Sequence, residues 1–172
     1  QPDRMSAGNF LTHTQHASGQ NYLVGSPEGL TGYECSANRV NEYRARPGSD
    51  WLCHTNHPLV NPDTHTFDTL LHGYTDEGRA ALHQDTTRRL TFMQNELQKN
   101  NRYLDQAVLR AILSSQETPI CKTIDPNKDQ SSIGAFTFGC VIMTLSVQPR
   151  MEISFGPPGV RPFFRLGFDD IV

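Results

Sequence analysis

Short apolar runs alternate with polar residues over the first third of the chain. Strand-like runs occupy residues 20–25, 30–37, 40–45 and 51–55. Turn-forming residues such as Pro27 and Gly29 separate them, and a helix-like stretch at residues 5–13 precedes them. Alternation bounded by glycine, proline or asparagine is typical of half-buried strands. The close spacing of the four runs predicts an antiparallel meander.

A helical period replaces the alternation after residue 85. Apolar or threonine side chains recur three and four positions apart at Thr86, Leu90, Met93 and Leu97. This spacing places them on one face of a helix, for which Asp85 suits the N-cap position. A second helix follows the same pattern at Leu104, Val108, Ala111 and Ile112. The polar stretch 61–85 predicts a surface segment with little regular structure.

The last third of the chain returns to strand-like patterns. Residues 136–147 carry apolar side chains on both faces of a strand, which predicts a central strand covered on both sides. Shorter runs at 120–123 and 151–155 predict further strands. Strands, then two helices, then strands indicate layers of sheet flanked by helix, in one α+β domain of residues 1–172.

Composition narrows the class of protein. Hydrophobic residues make up 36% and charged residues 19% of the chain, which favours strands and loops over a helical bundle. The net charge is −3 without a Lys/Arg cluster, so we expect no nucleic-acid partner. No apolar run approaches the ~20 residues that span a membrane, so we expect no membrane partner. Four irregularly spaced cysteines predict free thiols in a reducing, cytoplasmic setting.

Candidate chemistry is concentrated in the segment 51–58, where polar residues follow an apolar run and a proline ends it. Cys53, His54 and His57 are zinc-ligand types, but structural zinc takes four ligands and no second pair follows. Cys53 as a nucleophile with a histidine base is an alternative, although adjacent strand residues point to opposite faces. Asn56 as an oxyanion-hole donor is another. The remaining alternative is a purely structural role, in which these side chains only make the hydrogen bonds of a turn that follows the strand.

Three blocks of sequence resemble a known family when taken together. They are residues 54–59 (His-Thr-Asn-His-Pro-Leu), 17–22 (Ala-Ser-Gly-Gln-Asn-Tyr) and 34–37 (Glu-Cys-Ser-Ala). Their order resembles the autoproteolytic acyltransferase/hydrolase family typified by fungal isopenicillin N acyltransferase. Residues 137–158 are similar to the closing hairpin of bacterial members. The resemblance covers most of the chain, and the His-Thr-Asn-His segment is its most specific part.

The resemblance implies an amino-terminal-nucleophile hydrolase with an αββα four-layer sandwich, of which this chain is the carboxy-terminal part. In such enzymes an amino-terminal cysteine, with its own α-amino group as base, attacks an amide or thioester and forms an acyl-enzyme. Water or an amine then resolves that intermediate. The implied activity is linear-amide C–N hydrolysis or acyl transfer on a small-molecule substrate, with no cofactor and no metal.

The same resemblance implies roles for individual residues. Asn56 matches the family's oxyanion-hole asparagine, and Ser36 matches a serine near the site. His54, Thr55 and His57 are expected beside the substrate or as side chains that hold the Asn56 loop by hydrogen bonds. By their residue type, the thiols of Cys35 and Cys53 are expected to be core groups.

Two departures from the family pattern limit what the resemblance implies. None of the four internal cysteines matches the nucleophile, so we expect it on an amino-terminal segment or a separate chain. Residues 131–135 lack the arginine that the fungal enzyme has before the following strand, which argues against penicillin-type acyl transfer. The alternative function is a catalytically inactive domain that binds acyl or amide ligands without the nucleophile.

Overall fold

The computed structural model describes residues 3–118, 120–124 and 136–167, and it forms two compact units, Gln1–Asn101 and Arg102–Val172. Within the described residues, each unit contains a three-stranded antiparallel sheet together with helix. The protein is therefore of mixed α/β class. Among the helices in these ranges, none is long and apolar enough to cross a membrane.

The first unit is built around a meander sheet. Its elements are α1 (Arg4–His13), β1 (Gln20–Ser26), β2 (Gly29–Cys35), β3 (Val40–Tyr43), α2 (His65–Leu71) and α3 (Asp76–Lys99). The strand order is β1-β2-β3, with Gln20 opposite Cys35 and Gly32 opposite Tyr43. Gly29 lies in the turn of the first hairpin with a φ of 137°, a backbone angle that residues other than glycine rarely adopt. The first three predicted strands are confirmed.

The helix predicted at residues 5–13 is also confirmed, as α1. Its N-cap is Asp3, whose carboxylate accepts the Ser6 N–H at 2.7 Å. Leu11 of this helix is buried together with Tyr33 and Cys35 of β2 and forms the core of the sheet's covered face. Because β2 lies between two strands and under this core, it is buried along most of its length.

The predicted fourth strand, residues 51–55, is wrong: this stretch is irregular. Its polar groups bond to α3 instead of to a neighbouring strand. The Thr55 hydroxyl donates to the Thr86 carbonyl at 3.2 Å, and the Asn56 N–H donates to the Thr86 hydroxyl at 3.1 Å. Hydrogen bonds between distant parts of the chain have therefore replaced strand pairing here.

The prediction of an irregular surface segment at 61–85 is wrong as well, because α2 and the first ten residues of α3 fall within it. Asp85 lies inside α3, and the N-cap is Thr75, whose hydroxyl accepts the Gly78 N–H at 3.2 Å. The negative charges of Asp76 and Glu77 in the first turn interact favourably with the positive end of the helix dipole. The first turns of α3 are mostly exposed and polar and carry no apolar stripe. The hydrophobic pattern therefore predicts only the later part of this helix.

The second unit pairs one helix with a second sheet. Its elements are α4 (Gln106–Leu113), β4 (Cys140–Thr144), β5 (Arg150–Ser154) and β6 (Phe163–Gly167), in the strand order β4-β5-β6. Asp105 caps α4 by accepting the Val108 N–H at 2.8 Å. Arg110 of α4 makes a two-pronged ion pair with the buried carboxylate of Glu152 on β5. The second predicted helix and the predicted strand at 151–155 are confirmed.

Of two further strand predictions in this unit, one is confirmed only in part and the other is wrong. The run 136–147 yields only the five-residue β4, which lies at an edge of the described sheet, while β5 is its central strand. Val141 and Met143 are exposed, so β4 is covered on one face. Residues 120–123 are irregular. Lys122 and Thr137 exchange two hydrogen bonds, but one pair of residues does not make a strand ladder. An apolar run shows that a strand can form, but not which neighbours it has.

Candidate functional site

A cavity of about 310 Å³ in the first unit brings most of the predicted site residues together. Ser36 reaches it from the end of β2, and His54, Thr55 and Asn56 reach it from the irregular segment. His57 is the exception, because it does not line this cavity. Four predicted residues that lie up to 20 positions apart in sequence therefore share one cavity wall.

Glu34 anchors the loop that carries these residues. Its carboxylate accepts His54 Nε2 at 2.8 Å and the backbone N–H groups of Leu59, Val60 and Asn61 at 2.6, 2.8 and 2.6 Å. Since an ionised carboxylate only accepts, the His54 proton in this contact lies on Nε2. The side chain of Glu34 is only 5% exposed.

These contacts decide the charge state of Glu34. Burial alone raises the pKa of this carboxyl, but the hydrogen bonds from His54 and the three N–H groups outweigh burial and lower the pKa from 4.5 to about 2. Glu34 is therefore an anion at every pH at which the protein is expected to work. Its acceptor sites are occupied by the loop, so its role at the cavity is to fix the course of residues 54–61.

Thr86 of α3 holds the other side of the same loop. Its hydroxyl accepts the Asn56 N–H and donates to Thr55 Oγ1 at 3.0 Å. Because that hydroxyl proton is used, His57 Nδ1 carries the proton of its 2.9 Å contact with Thr86. Thr86 is 3% exposed, so these bonds are sheltered from water. Thr55 and His57 thus hold the loop through Thr86.

Asn56 stands on the cavity wall with its side chain oriented by α3. Arg89 Nη2 donates to Asn56 Oδ1 at 3.0 Å. Arg89 also lies 3.3 Å from the carboxylate of Asp85, one turn earlier on the same helix. No described residue accepts a hydrogen bond from Asn56 Nδ2. The side-chain N–H₂ group of Asn56 is therefore available as a donor.

Ser36 closes the turn between β2 and β3 at the cavity edge. Its hydroxyl donates to Asp63 Oδ2 at 2.6 Å, and Asn38 Nδ2 donates to the same oxygen at 3.0 Å. The hydrogen bond from Ser36, and then that from Asn38, hold the pKa of Asp63 below its ordinary value. Because the Ser36 proton is committed to this carboxylate, its hydroxyl acts in the structure as a fixed polar wall group.

Asn21 reaches the cavity from β1 and is held by Tyr43. The Tyr43 hydroxyl donates to Asn21 Oδ1 at 2.7 Å, and the Tyr43 ring lies 6.0 Å from that of His54. Burial raises the pKa of Tyr43 to about 12, so the hydroxyl keeps its proton. The ring crosses β2 directly over Gly32, where an added Cβ would lie 2.1 Å from it.

Neither thiol near the loop has the features of a nucleophile. Cys35 lines the cavity but is 2% exposed, and burial raises the pKa of both Cys35 and Cys53. A raised thiol pKa reduces the thiolate fraction that reacts. The four cysteines form no disulfide in this structure.

The zinc alternative finds no ligand set in this structure. His54 Nε2 is bonded to Glu34 and His57 Nδ1 to Thr86. In the part of the chain that the structure describes, no three His, Cys, Asp or Glu side chains are grouped to hold a metal ion.

Three residues that organise the site are not predicted by the sequence pattern. Glu34 belongs to one of the blocks that carry the family resemblance, but nothing in the block indicates that its carboxylate binds the loop. The spacing predicts that Thr86 lies on the apolar stripe of α3, but it does not predict that Thr86 binds the loop. Arg89, three positions later, lies on the same helix face and meets Asn56 across 33 positions of sequence. The spacing predicts which face of α3 is buried, but it does not predict that this face contacts the loop of Asn56.

Comparison with known proteins adds no relative to this description. No family model matches the chain, and no curated protein is significantly similar to it. The family resemblance therefore stays a prediction that depends on the sequence blocks alone.

Proposed function

We propose that this chain is the carboxy-terminal part of an amino-terminal-nucleophile hydrolase, an αββα four-layer sandwich enzyme that hydrolyses a linear amide through a cysteine. The chain supplies Asn56 as the oxyanion-hole donor. The nucleophile comes from an amino-terminal segment or a partner chain, because burial and a raised pKa make Cys35 and Cys53 poor nucleophiles. Hydrolysis is favoured over acyl transfer because water needs no second substrate pocket.

The observation that carries this proposal is the position of Asn56. Asn56 lines a cavity with Ser36, His54 and Thr55, and its side-chain N–H₂ group has no acceptor among the described residues. A donor that is held in place before the reaction stabilises charge that develops only in the transition state. The cavity of about 310 Å³ also lies within the size range of small-molecule sites.

In the proposed reaction the cysteine thiolate forms a C–S bond to the amide carbon, and the carbonyl oxygen takes the negative charge. Asn56 Nδ2–H donates to that oxygen. When the carbonyl re-forms, the C–N bond breaks and the amine leaves with the proton that the α-amino group took from the thiol. Water then attacks the thioester, which releases the acid and regenerates the thiol. Ser36 and His54 shape the wall without transferring a proton.

The test is the turnover of the complete gene product on a panel of N-acyl anilides that release a coloured amine. We expect Asn56→Ala to lower kcat/KM by about 10²–10³-fold, as for other single oxyanion-hole donors. Asn9→Ala, which changes an exposed asparagine of α1, is the matched control and should retain full turnover. An active wild type whose Asn56→Ala variant is equally active would show that Asn56 is not the oxyanion donor.

The thiol environments support a second candidate, an acyl- or amide-binding domain without catalysis. Cys35 is the cysteine on the cavity wall, and burial raises its pKa. Saturable binding of N-acyl amides that Asn56→Ala weakens, without release of the amine, would favour this candidate. Release of the amine and an acylated cysteine would exclude it.

A further inference from the structure

The contact between Arg89 and Asn56 fixes which end of the asparagine carboxamide faces α3. A guanidinium group carries only N–H donors, so the carboxamide atom that meets Arg89 Nη2 at 3.0 Å must be the oxygen. The N–H₂ group then lies at the opposite end of the amide. If the amide turned over, its N–H₂ would meet the guanidinium N–H groups and two donors would oppose each other.

Arg89 is partly buried and forms an ion pair on its own helix. Its guanidinium lies 3.3 Å from the Asp85 carboxylate, and its side chain is 21% exposed. Arg88, its neighbour along the helix, is exposed. Of these two adjacent cations, Arg89 is the one that the fold directs at the site.

The backbone of Asn56 is fixed from the same helix face. Thr86 lies one turn before Arg89, and its hydroxyl accepts the Asn56 backbone N–H at 3.1 Å. The helix therefore contacts Asn56 at two points, the main-chain N–H and the side-chain oxygen. With both points occupied, the side-chain N–H₂ is the remaining N–H donor of the residue, and it has no partner among the described residues.

We propose that Arg89 is a positioning residue that holds the Asn56 carboxamide with its N–H₂ group toward the cavity, ready to meet an oxyanion. This proposal rests on the proposed function of Asn56. Without Arg89 the Asn56 carboxamide rotates about the Cβ–Cγ bond, and its oxygen faces the cavity for part of the time. An oxygen there repels the developing negative charge.

The expected kinetic effect falls on kcat. Because the oxyanion is absent from the bound substrate and develops only in the transition state and the tetrahedral intermediate, a misoriented donor lowers kcat and leaves KM unchanged. We expect Arg89→Met to lower kcat by about tenfold, less than the removal of the donor in Asn56→Ala. Arg89→Lys keeps one cationic donor and should recover part of that loss. Arg88→Met removes an adjacent exposed cation and should behave as wild type.

A second readout does not depend on catalysis. The side-chain ¹⁵N–¹H₂ signals of Asn56 are identified by their absence in Asn56→Ala, and their ¹⁵N relaxation reports the mobility of the amide. We expect a rigid amide in wild type and Arg88→Met, a mobile one in Arg89→Met, and an intermediate one in Arg89→Lys. Fluorescence of Trp51, the chain's single tryptophan, checks that each variant is folded.

The two readouts separate the possible failures. An Asn56 amide that stays rigid in folded Arg89→Met overturns the proposal. A mobile amide with unchanged kcat, in an enzyme that Asn56→Ala inactivates, overturns it as well. If Asn56→Ala has no effect on turnover, the proposed function fails, and the relaxation of the Asn56 amide still decides whether Arg89 orients it.

Discussion

Replacing Glu34 with glutamine removes the anion that holds the site loop. The glutamine amide has the same shape, but one of its two ends is an N–H₂ donor. That donor would face His54 Nε2–H or the N–H groups of Leu59, Val60 and Asn61, all of which need an acceptor. At least one of these buried bonds is therefore lost, together with the charge that strengthens all of them.

The pKa of Glu34 gives the size of the effect. The carboxyl has an ordinary pKa of 4.5 and a folded pKa of about 2. At about 1.4 kcal/mol per pKa unit, the anion contributes about 3 kcal/mol to stability at neutral pH. Because the folded pKa is the lower one, this contribution is complete above pH 4.5 and is lost as the pH falls toward 2. We therefore expect Glu34→Gln to cost about 3 kcal/mol at pH 7 and progressively less below pH 4.5.

Urea unfolding followed by Trp51 fluorescence measures this effect, because the single tryptophan lies in the same unit as Glu34. The curves are recorded at pH 7, 5 and 3.5 for wild type, Glu34→Gln and Glu42→Gln. Glu42 is a control on the neighbouring strand, where it makes a surface ion pair with Arg44, so its loss should cost less than about 1 kcal/mol. A cost below about 1 kcal/mol for Glu34→Gln at pH 7, or an equal cost at pH 3.5, would refute the reasoning.

Three further substitutions test the packing around the site and in the second unit. Gly32→Ala places a Cβ 2.1 Å from the Tyr43 ring, and we expect a loss of about 1–3 kcal/mol in the same fluorescence curves. Thr86→Val removes the hydroxyl that ties the site loop to α3, with an expected cost of about 1–3 kcal/mol and a faster amide exchange in that loop. Arg110→Met leaves the buried Glu152 carboxylate without its main partner, and we expect about 2 kcal/mol less protection of the β5 amides in hydrogen exchange.

Each of these expectations has an outcome that contradicts it. Gly32→Ala as stable as wild type would mean that the Tyr43 ring moves aside without cost. Unchanged amide exchange in Thr86→Val would show that Glu34 alone holds the loop. Unchanged protection in Arg110→Met would show that other basic side chains near Glu152, such as Arg150 and Arg165, replace Arg110.

The sequence predicts the elements of this fold better than their neighbours. Strands β1 to β3 follow from alternation and from local turn residues such as Gly29, which act within a few positions. Residues 51–55 have the same alternation, but their partners lie on α3 about 30 positions later. The choice between a strand and an anchored loop therefore depends on contacts that no local pattern contains.

The candidate site shows the same limit. Spacing and resemblance selected Ser36, His54, Thr55 and Asn56, which the structure places around one cavity. The carboxylate that binds the loop was not selected, because an acidic residue within a strand pattern does not indicate which N–H groups it meets. Residue types in one segment can suggest the chemistry, whereas the hydrogen bonds that position it come from distant elements.

The central claim is that Asn56 donates a hydrogen bond to the oxyanion formed by the attack of a cysteine that is not among these 172 residues. Intact-mass analysis of the complete gene product, with amino-terminal sequencing and brief incubation with an N-acyl anilide, tests it most directly. The account predicts a segment whose mature first residue is Cys, joined to this chain or co-purifying with it, and an added acyl mass on that segment. A product without a Cys-led segment and without an acyl adduct would contradict the account and leave ligand binding as the function.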